Sequence, residues 1–393
     1  MTAVEQRLRE ELRRIADQVD PAEVRPLRAP VRRRAARRWL IPASAATGLA
    51  AVIGVIVLLA SPSTGAKPAA PVSGAMPRYY VSASDSGAKL YAYVRDARDG
   101  RVTGQVLVPV PVVRGESITT WAVVAAADGR HFVIATSVGG DLPGVSAATL
   151  FRLTISGTGQ PGRLTRVRFD NRGQPVSGLA LSSDGGSLAV SLEREFPPNP
   201  GVAGSVDVID LATGAVQTFS VGTNGNSAGV PLWGSDDRTL MFPLWHTTTS
   251  GQSSITGVEA IQMGPSSGRP VPARITVFPV PVRGIGTALL TGGGKYLVGS
   301  SCSTGKDDTA TARILELSAT NGRLVRVVRA QTSRFKSQDA AQQAVALTCS
   351  VLSADPSGRH LLGQAFTFGR IDNGTFTALP GASADDRYAA AAW

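Results

Sequence analysis

The sequence predicts an all-β domain preceded by a single membrane-spanning helix, and three observations support this. A pattern of apolar strand, Asp- or Gly-containing turn and second apolar strand recurs through residues 78–393, which is typical of repeat architectures. Ahead of it, residues 39–60 form one uncharged apolar stretch directly after an arginine cluster. The 43 glycines and 25 prolines among 393 residues also favour many short strands and turns over long helices.

The first segment, residues 1–38, predicts a cytoplasmic amphipathic helix followed by an arginine-rich juxtamembrane stretch. Apolar side chains recur at helical spacing and form one narrow stripe. The stripe consists of Val4, Leu8, Leu12, Ile15 and Val19. A helix this short is marginal by itself in water. The stripe therefore predicts a partner, which is lipid, a second copy of the chain, or a cytoplasmic regulator such as a sigma factor.

Residues 39–61 predict a transmembrane helix. About 20 apolar residues at a rise of ~1.5 Å each match a hydrocarbon core of roughly 30 Å. Basic residues just before the span place the N-terminus in the cytoplasm and the remainder of the chain outside the membrane. They are Arg32, Arg33, Arg34, Arg37 and Arg38. The alternative is a cleaved signal peptide, although such peptides usually total only roughly 15–30 residues.

The next segment, residues 62–77, is rich in Pro, Ala, Ser and Gly and predicts a flexible stalk. The formal net charge of +11 does not indicate nucleic-acid binding. Residues 1–61 hold 11 arginines and 6 acidic residues, so +5 of the charge lies there and +6 is spread over the rest. Because nucleic-acid recognition needs a concentrated basic face, the expected partners are a lipid bilayer and an extracytoplasmic ligand or protein.

The repeat has two hairpins in each unit. The first hairpin turns on Asp or Gly, which tolerate the positive φ that tight turns demand. Its second turn residue is Gly129, Gly185, Asp237, Gly294, Gly358 or Asp386. A second hairpin accompanies each unit, most clearly in residues 207–221 with their Thr-Gly turn.

Four strands per unit of roughly 40–60 residues predict a β-propeller over residues 78–393. Six second hairpins give six blades, with seven as the alternative. Residues 388–393 are expected to form a strand that completes the blade begun near Tyr79 and so closes the ring.

The turns also carry a resemblance. LALSSDGGSLAVSLE followed by GSVDVIDLATGAVQTF resembles repeats of TolB-type and tryptophan-aspartate-repeat-like propellers, which pair an S-x-D-G turn with a later D-L-x-T-G turn. The resemblance implies a propeller fold and a tendency to bind partners. The overall layout is similar to that of actinobacterial single-pass membrane proteins encoded beside extracytoplasmic sigma factors. That similarity implies a sensor role.

The chain has two cysteines, Cys302 and Cys349. Both fall outside the membrane in the predicted topology, where an oxidising environment favours one disulfide between them. The alternative is two buried free thiols.

No residue is predicted to be catalytic or to bind a metal or cofactor. Gly225–Gly229 matches the G-x-S-x-G pattern around Ser227, but a Gly-rich connection between strands is not the strand-to-helix elbow that this motif requires. His131 and His360 each follow a Gly-Arg turn, which favours a structural role. A metal site assembled from distant blades remains an alternative.

The sequence therefore predicts a membrane-anchored propeller that binds a ligand or protein and is not an enzyme. Two alternatives are open: a structural envelope scaffold, and a propeller hydrolase or lyase. The enzyme alternative requires polar residues to cluster at one mouth of the ring. The candidates for that cluster are His246, Glu259, Asp307 and Asp308.

Overall fold

The structure is a computed structural model that describes residues 76–86, 89–110, 118–138, 148–171, 174, 176–192, 204–221, 226–248, 252–263, 271–347, 349–355, 357–379 and 390–393. The chain divides into two units, Met1–Ala66 and Lys67–Trp393, and every described residue belongs to the second. The predicted amphipathic helix, arginine cluster, transmembrane helix and most of the stalk lie outside the described residues. Within those residues, no helix has the length and apolar character needed to cross a membrane.

The described strands form six antiparallel sheets, here called blades 1 to 6. Blade 1 contains β1 (Tyr79–Ser86), β2 (Lys89–Asp96), β3 (Val102–Val108) and the C-terminal β25 (Ala390–Ala392). Blade 2 contains β4 (Ile118–Ala125), β5 (His131–Val138), β6 (Ala148–Thr154) and β7 (Thr165–Val167). Blade 3 contains β8 (Val176–Leu181), β9 (Ser187–Leu192), β10 (Gly204–Asp210) and β11 (Val216–Val221).

Blade 4 has a split first strand, because two short segments both pair with β14. Its strands are β12 (Asn226–Ala228), β13 (Leu232–Trp233), β14 (Thr239–Thr247), β15 (Ser253–Gln262) and β16 (Val271–Arg283). Blade 5 contains β17 (Ala288–Thr291), β18 (Tyr296–Thr304), β19 (Thr309–Ser318) and β20 (Leu324–Arg334). Blade 6 contains β21 (Cys349–Ala354), β22 (His360–Ala365), β23 (Thr367–Asp372) and β24 (Thr375–Ala378).

The blades form a closed ring. The first strand of each blade contacts the first strand, or its neighbour, in the next blade, and β21 of blade 6 contacts β25 of blade 1. Strand β25 in turn contacts β4 of blade 2. The prediction of a six-bladed β-propeller is confirmed, and the seven-bladed alternative is wrong.

Closure joins the two ends of the domain in one sheet. Strand β25 pairs antiparallel with β1, with Val81 opposite Ala392 and Ala83 opposite Ala390. The next residue, Trp393, is 3% exposed, and its ring meets that of His360 edge-on at 6.4 Å between centroids. The described residues confirm the predicted closing strand from Ala390 onward.

The core consists of six apolar clusters, one at each junction between neighbouring blades of the described chain. At the junction of blades 2 and 3, Leu150 and Val133 pack with Leu188 and Ile209. Each sheet therefore buries both faces, because each blade is covered by a neighbour on either side.

The first-hairpin turns have the geometry that the sequence predicted. The residues concerned have φ values of 60°, 70°, 48°, 83° and 70° at Gly129, Gly185, Asp237, Gly294 and Gly358. The sixth position, Asp386, lies outside the described residues. Left-handed backbone suits Gly and, among other residues, chiefly Asn and Asp, which explains the composition of these turns.

One helix was not expected from the strand and turn pattern. Helix α1 (Gln338–Leu347) connects blades 5 and 6 and packs against β18, β19 and β21. The local signals for it are present, because the Ser337 hydroxyl accepts a hydrogen bond from the Ala340 N–H at 3.2 Å. A serine N-cap, an acidic residue in the first turn and an alanine-rich interior all favour a helix.

Candidate functional site: a groove between blades 2 and 3

The second hairpin of a blade packs against the preceding blade at three junctions. In the β6–β7 turn of blade 2, the Gly159 carbonyl accepts a hydrogen bond from the Thr103 hydroxyl of blade 1 at 3.0 Å. In the β19–β20 turn of blade 5, a Cβ on Gly322 would lie 2.7 Å from the Phe278 ring of blade 4. In the β23–β24 turn of blade 6, a Cβ on Gly374 would lie 3.2 Å from the Arg326 guanidinium of blade 5. These turns close the outer part of their junctions.

Blade 3 is different at the same position. A Cβ on Gly214, in the β10–β11 turn, would have no heavy atom within 4 Å. Across the junction, β7 spans only three residues, and its ladder with β6 extends from Thr165–Arg152 to Val167–Leu150. A groove of about 760 Å³ lies between these two elements. This volume is in the range of roughly 300–1,000 Å³ that is typical of ligand pockets.

The walls of the groove continue the apolar junction between blades 2 and 3. Val167 and Phe169 of blade 2 pack against the buried cluster of that junction. On blade 3, Ile209 is fully buried in the cluster, whereas its cross-strand partner Val216 is 49% exposed. The apolar interface between blades 2 and 3 is therefore buried at Ile209 and exposed to solvent at Val216.

The polar groups of the groove fall into two sets. Asp207 is 1% exposed and lies opposite Thr218 on blade 3, and Asp170 is exposed near the entrance. Both residues already interact with other groups of the protein. Arg166 and Arg168 are exposed and line the same groove. Within the described part of the chain, neither guanidinium has a hydrogen-bond or ion-pair partner, so both are available to an anionic ligand.

The two cysteines lie elsewhere. Cys302 and Cys349 form a disulfide with a Cα–Cα distance of 6.3 Å. Cys302 lies within β18, and Cys349 begins β21. The bond therefore links blade 5 to blade 6 and has no contact with the groove.

The two repeat-position histidines contact groups of their own or the next blade. His131 Nδ1 is 2.5 Å from the Asp128 carboxylate, and a Cβ on Gly185 of blade 3 would lie 3.0 Å from the Cβ of His131. His360 Nδ1 is 2.9 Å from Asp372. His131 therefore lies against blade 3, and His360, whose ring also meets that of Trp393, lies beside blade 1.

Ser227 lies in a strand rather than in the connection that the sequence predicted. It belongs to β12 and is paired with Trp245 of β14. The error has a simple cause, because a three-residue strand flanked by glycines has the local composition of a loop. The segment that follows is the two-residue strand β13, so Ser227 is not at a strand-to-helix elbow.

The adjacent acidic residues Asp236 and Asp237 lie in the turn between β13 and β14. The Asp236 carboxylate accepts hydrogen bonds from the backbone N–H groups of Arg238 at 3.0 Å and Thr239 at 2.9 Å. Burial raises its pKa, but these hydrogen bonds outweigh burial and the pKa is lowered overall. Asp237 accepts a hydrogen bond from the Ser183 N–H of blade 3 at 2.8 Å. The pair therefore fixes its own turn and joins two blades.

The residues named for the enzyme alternative are separated. His246 is near the end of β14, and Glu259 is buried opposite Phe242, four residues away along the same strand. Four residues of strand span about 13 Å. Asp307 and Asp308 lie in the β18–β19 turn of blade 5. Among the described residues, no three His, Cys, Asp or Glu side chains are arranged to hold a metal ion.

The sequence does not predict the groove. Its only local signal is the alternation of basic and apolar residues in Arg166–Phe169. That alternation is ordinary for an outer strand. The groove depends on how far the β10–β11 hairpin of blade 3 lies from this strand. Sequence spacing does not give that distance.

No protein-family model matches the chain, and no curated protein sequence matches it. Among solved structures, the chain is similar to the Myceliophteria thermophila Cps50 (Swd1) β-propeller domain, with a TM-score of 0.37 and 12% identity over 64% of this chain and 69% of that one.

Two enzyme structures show comparable similarity. For Kuenenia stuttgartiensis hydrazine synthase the TM-score is 0.37 at 17% identity, with 73% of both chains covered. For Pseudomonas aeruginosa periplasmic gluconolactonase, PpgL, it is 0.33 at 15% identity, with 77% of this chain and 100% of that one covered. Similarity at this level carries no functional argument, and the strand pairing of the chain itself defines it as a six-bladed β-propeller.

Proposed function

We propose that this chain is a single-pass membrane protein whose propeller binds a ligand or protein on the extracytoplasmic side. The anchor and the orientation rest on the apolar stretch of residues 39–61 and the arginines before it. The binding role rests on the groove between blades 2 and 3.

The observation that carries the binding role is an apolar cleft beside two arginines that have no partner among the described residues. Pockets that bind ligands are typically apolar with a small number of polar groups that fix orientation. Val167, Phe169 and Val216 supply the apolar walls, and Arg166 and Arg168 supply the polar groups. A guanidinium offers planar donors that match a carboxylate or phosphate.

The regulatory part of the proposal concerns the inside of the cell. The apolar stripe from Val4 to Val19 would contact a cytoplasmic partner of the sigma-factor type, and occupancy of the propeller would change that contact. A structural envelope scaffold is the principal alternative. A hydrolase or lyase is less favoured, because His246 and Glu259 are not adjacent.

The binding role is tested by photo-crosslinking in living cells. A benzoylphenylalanine placed at Thr218 lies in the groove, and one at Leu107 lies on the exposed outer strand of blade 1 and is the control. We expect crosslinked products at Thr218 that are absent at Leu107. Identical products at both sites, or none at Thr218, would remove the groove as the binding site.

The regulatory role needs a separate test. Crosslinked co-purification of the full-length chain is compared with a version lacking residues 4–19. A cytoplasmic regulator that is recovered only with the full-length chain supports signalling, whereas identical partners leave an anchored propeller that acts outside.

A further inference from the structure

We propose that the groove binds an extended acidic segment of another protein as an additional strand on β7. This inference rests on the proposed binding function and names the class of ligand. It predicts a segment in which apolar and acidic residues alternate.

The backbone of β7 is available for such pairing. Strand β7 is the outermost strand of blade 2, and in the described chain no strand lies on its far side. An edge strand presents unpaired N–H and C=O groups that an extended peptide can use, which is the basis of β-augmentation. At the junction of blades 2 and 3, the groove lies beside this edge, and a Cβ on Gly214 of the neighbouring blade 3 turn would meet nothing within 4 Å.

The two faces of β7 have different chemistry. Val167 is paired with Leu150, which belongs to the cluster between blades 2 and 3. Arg166 is paired with Phe151, which belongs to the cluster between blades 1 and 2. Val167 therefore faces the groove, whereas Arg166 starts from the opposite face at the edge of the sheet and lines the groove from there.

Paired residues in neighbouring strands lie on the same face of a sheet. A residue opposite Val167 would thus enter the groove against Phe169 and Val216, where an apolar side chain fits. Residues on the alternate positions would lie beside Arg166 and near Arg168, where an acidic side chain fits. The alternation of apolar and acidic residues in the ligand therefore follows from the alternation of apolar and basic residues in β7.

Two features favour an acidic ligand at β7 over the outer strands of blades 4 and 5. On β20 of blade 5, Arg326 pairs with Glu316 at 2.7 Å, and Arg329 lies over the Phe376 ring at 4.2 Å. On β16 of blade 4, prolines interrupt the edge, and proline cannot donate to a ladder. Arg166 and Arg168 have no such partners in the described chain.

The test uses the full-length chain in lipid nanodiscs and three fluorescent decapeptides with blocked ends. They alternate Val with Glu, Val with Gln, or Val with Lys, and binding is followed by fluorescence anisotropy at low salt. We expect the Val-Glu peptide to bind at least about tenfold more tightly than the Val-Gln peptide, and the Val-Lys peptide not to bind. Binding of the Val-Glu peptide should weaken as salt increases, since exposed charges are screened.

Variants locate the site. The double variant Arg166→Ala/Arg168→Ala should lose at least about tenfold in affinity for the Val-Glu peptide. Arg334→Ala removes an exposed arginine from β20 and is the matched control, with unchanged affinity expected. Thermal unfolding of each variant verifies that the fold is retained, which is expected because all three side chains are exposed.

Backbone pairing is tested with the same peptide N-methylated on either the valine or the glutamate amides. In an added strand, the N–H groups of only one of these two sets of residues point to β7. Methylation of that set removes the hydrogen bonds to β7, so the two methylated peptides should differ strongly in affinity. Equal affinities for them, equal affinities for Val-Glu and Val-Gln, or unchanged binding by the double arginine variant would each overturn the inference.

Failure of the inference is separable from failure of the proposed function. If the peptides do not bind but specific crosslinks form at Thr218, the groove is a binding site for another class of ligand. If both experiments fail, the groove is not the binding site at all.

Discussion

Gly129 and Gly358 occupy the same turn position in blades 2 and 6, with φ values of 60° and 70°. Their surroundings differ. A Cβ on Gly129 would meet nothing within 4 Å, whereas a Cβ on Gly358 would lie 2.7 Å from the Gly292 backbone nitrogen and 2.9 Å from Thr291. A comparison of substitutions at these two positions therefore separates the effect of backbone conformation on stability from the effect of packing.

We expect Gly129→Ala to lower the free energy of unfolding by about 1–2 kcal/mol, the cost of a left-handed alanine. Gly358→Ala should lower it by a further ~1–3 kcal/mol, because the blade 5 turn must move away from the added methyl. Chemical denaturation of both variants measures the difference. Equal losses would show that the contact between the two turns has no effect on stability.

The backbone conformation of individual residues could be predicted from the sequence, whereas the contacts of their side chains could not. The turn positions could be predicted because positive φ selects Gly and Asp locally, as at Asp237. The availability of Arg166 and Arg168 depends on which side chains other elements bring to them. No spacing in the sequence contains that information.

At the scale of elements, the disulfide joins strands of neighbouring blades that no turn connects. It closes a segment of 47 residues between β18 and β21 that includes β20 and α1. The chain-entropy estimate for a segment of this length is about 4 kcal/mol, and measured values usually fall between about 2 and 4 kcal/mol.

We expect the double variant Cys302→Ala/Cys349→Ala to unfold at lower denaturant concentration, with a loss of about 2–4 kcal/mol. A reducing agent should shift the midpoint of the unmodified chain in the same direction and leave that of the double variant unchanged. A midpoint that neither treatment moves would mean that the bond does not stabilise the fold.

The strands and hairpins were largely predictable, because alternating apolar residues and Gly-containing turns are local signals. Two elements were not. Strand β12 resembles a loop because glycines flank its three residues, and α1 was overlooked because the repeat pattern assigned its region to a connection.

At the scale of the whole molecule, closure depends on the last four residues. Strand β25 covers the edge of β1, and Trp393 is buried between blades 6 and 1. In the described structure, the Trp393 indole nitrogen is buried without a hydrogen-bond partner, so the ring contributes through apolar contact.

We expect removal of residues 390–393 to abolish a cooperative thermal transition and to cause association of the chains. Loss of a buried tryptophan alone costs about 3–5 kcal/mol, and the exposed edge of β1 becomes free to pair with another chain. Trp393→Phe keeps β25 and an aromatic ring and should remain monodisperse in size-exclusion chromatography. A truncated chain that unfolds like the complete one would show that closure is dispensable.

The position of β1 has a mechanical consequence. It is not an edge strand, because it lies between β2, with eight paired residues, and β25, with three. A pull on residue 76 along the strand must therefore shear both ladders at once, instead of opening one pair after another. Whatever the preceding chain is attached to, the load enters the domain at a strand held from both sides, and the ring resists being peeled open from its N-terminal end.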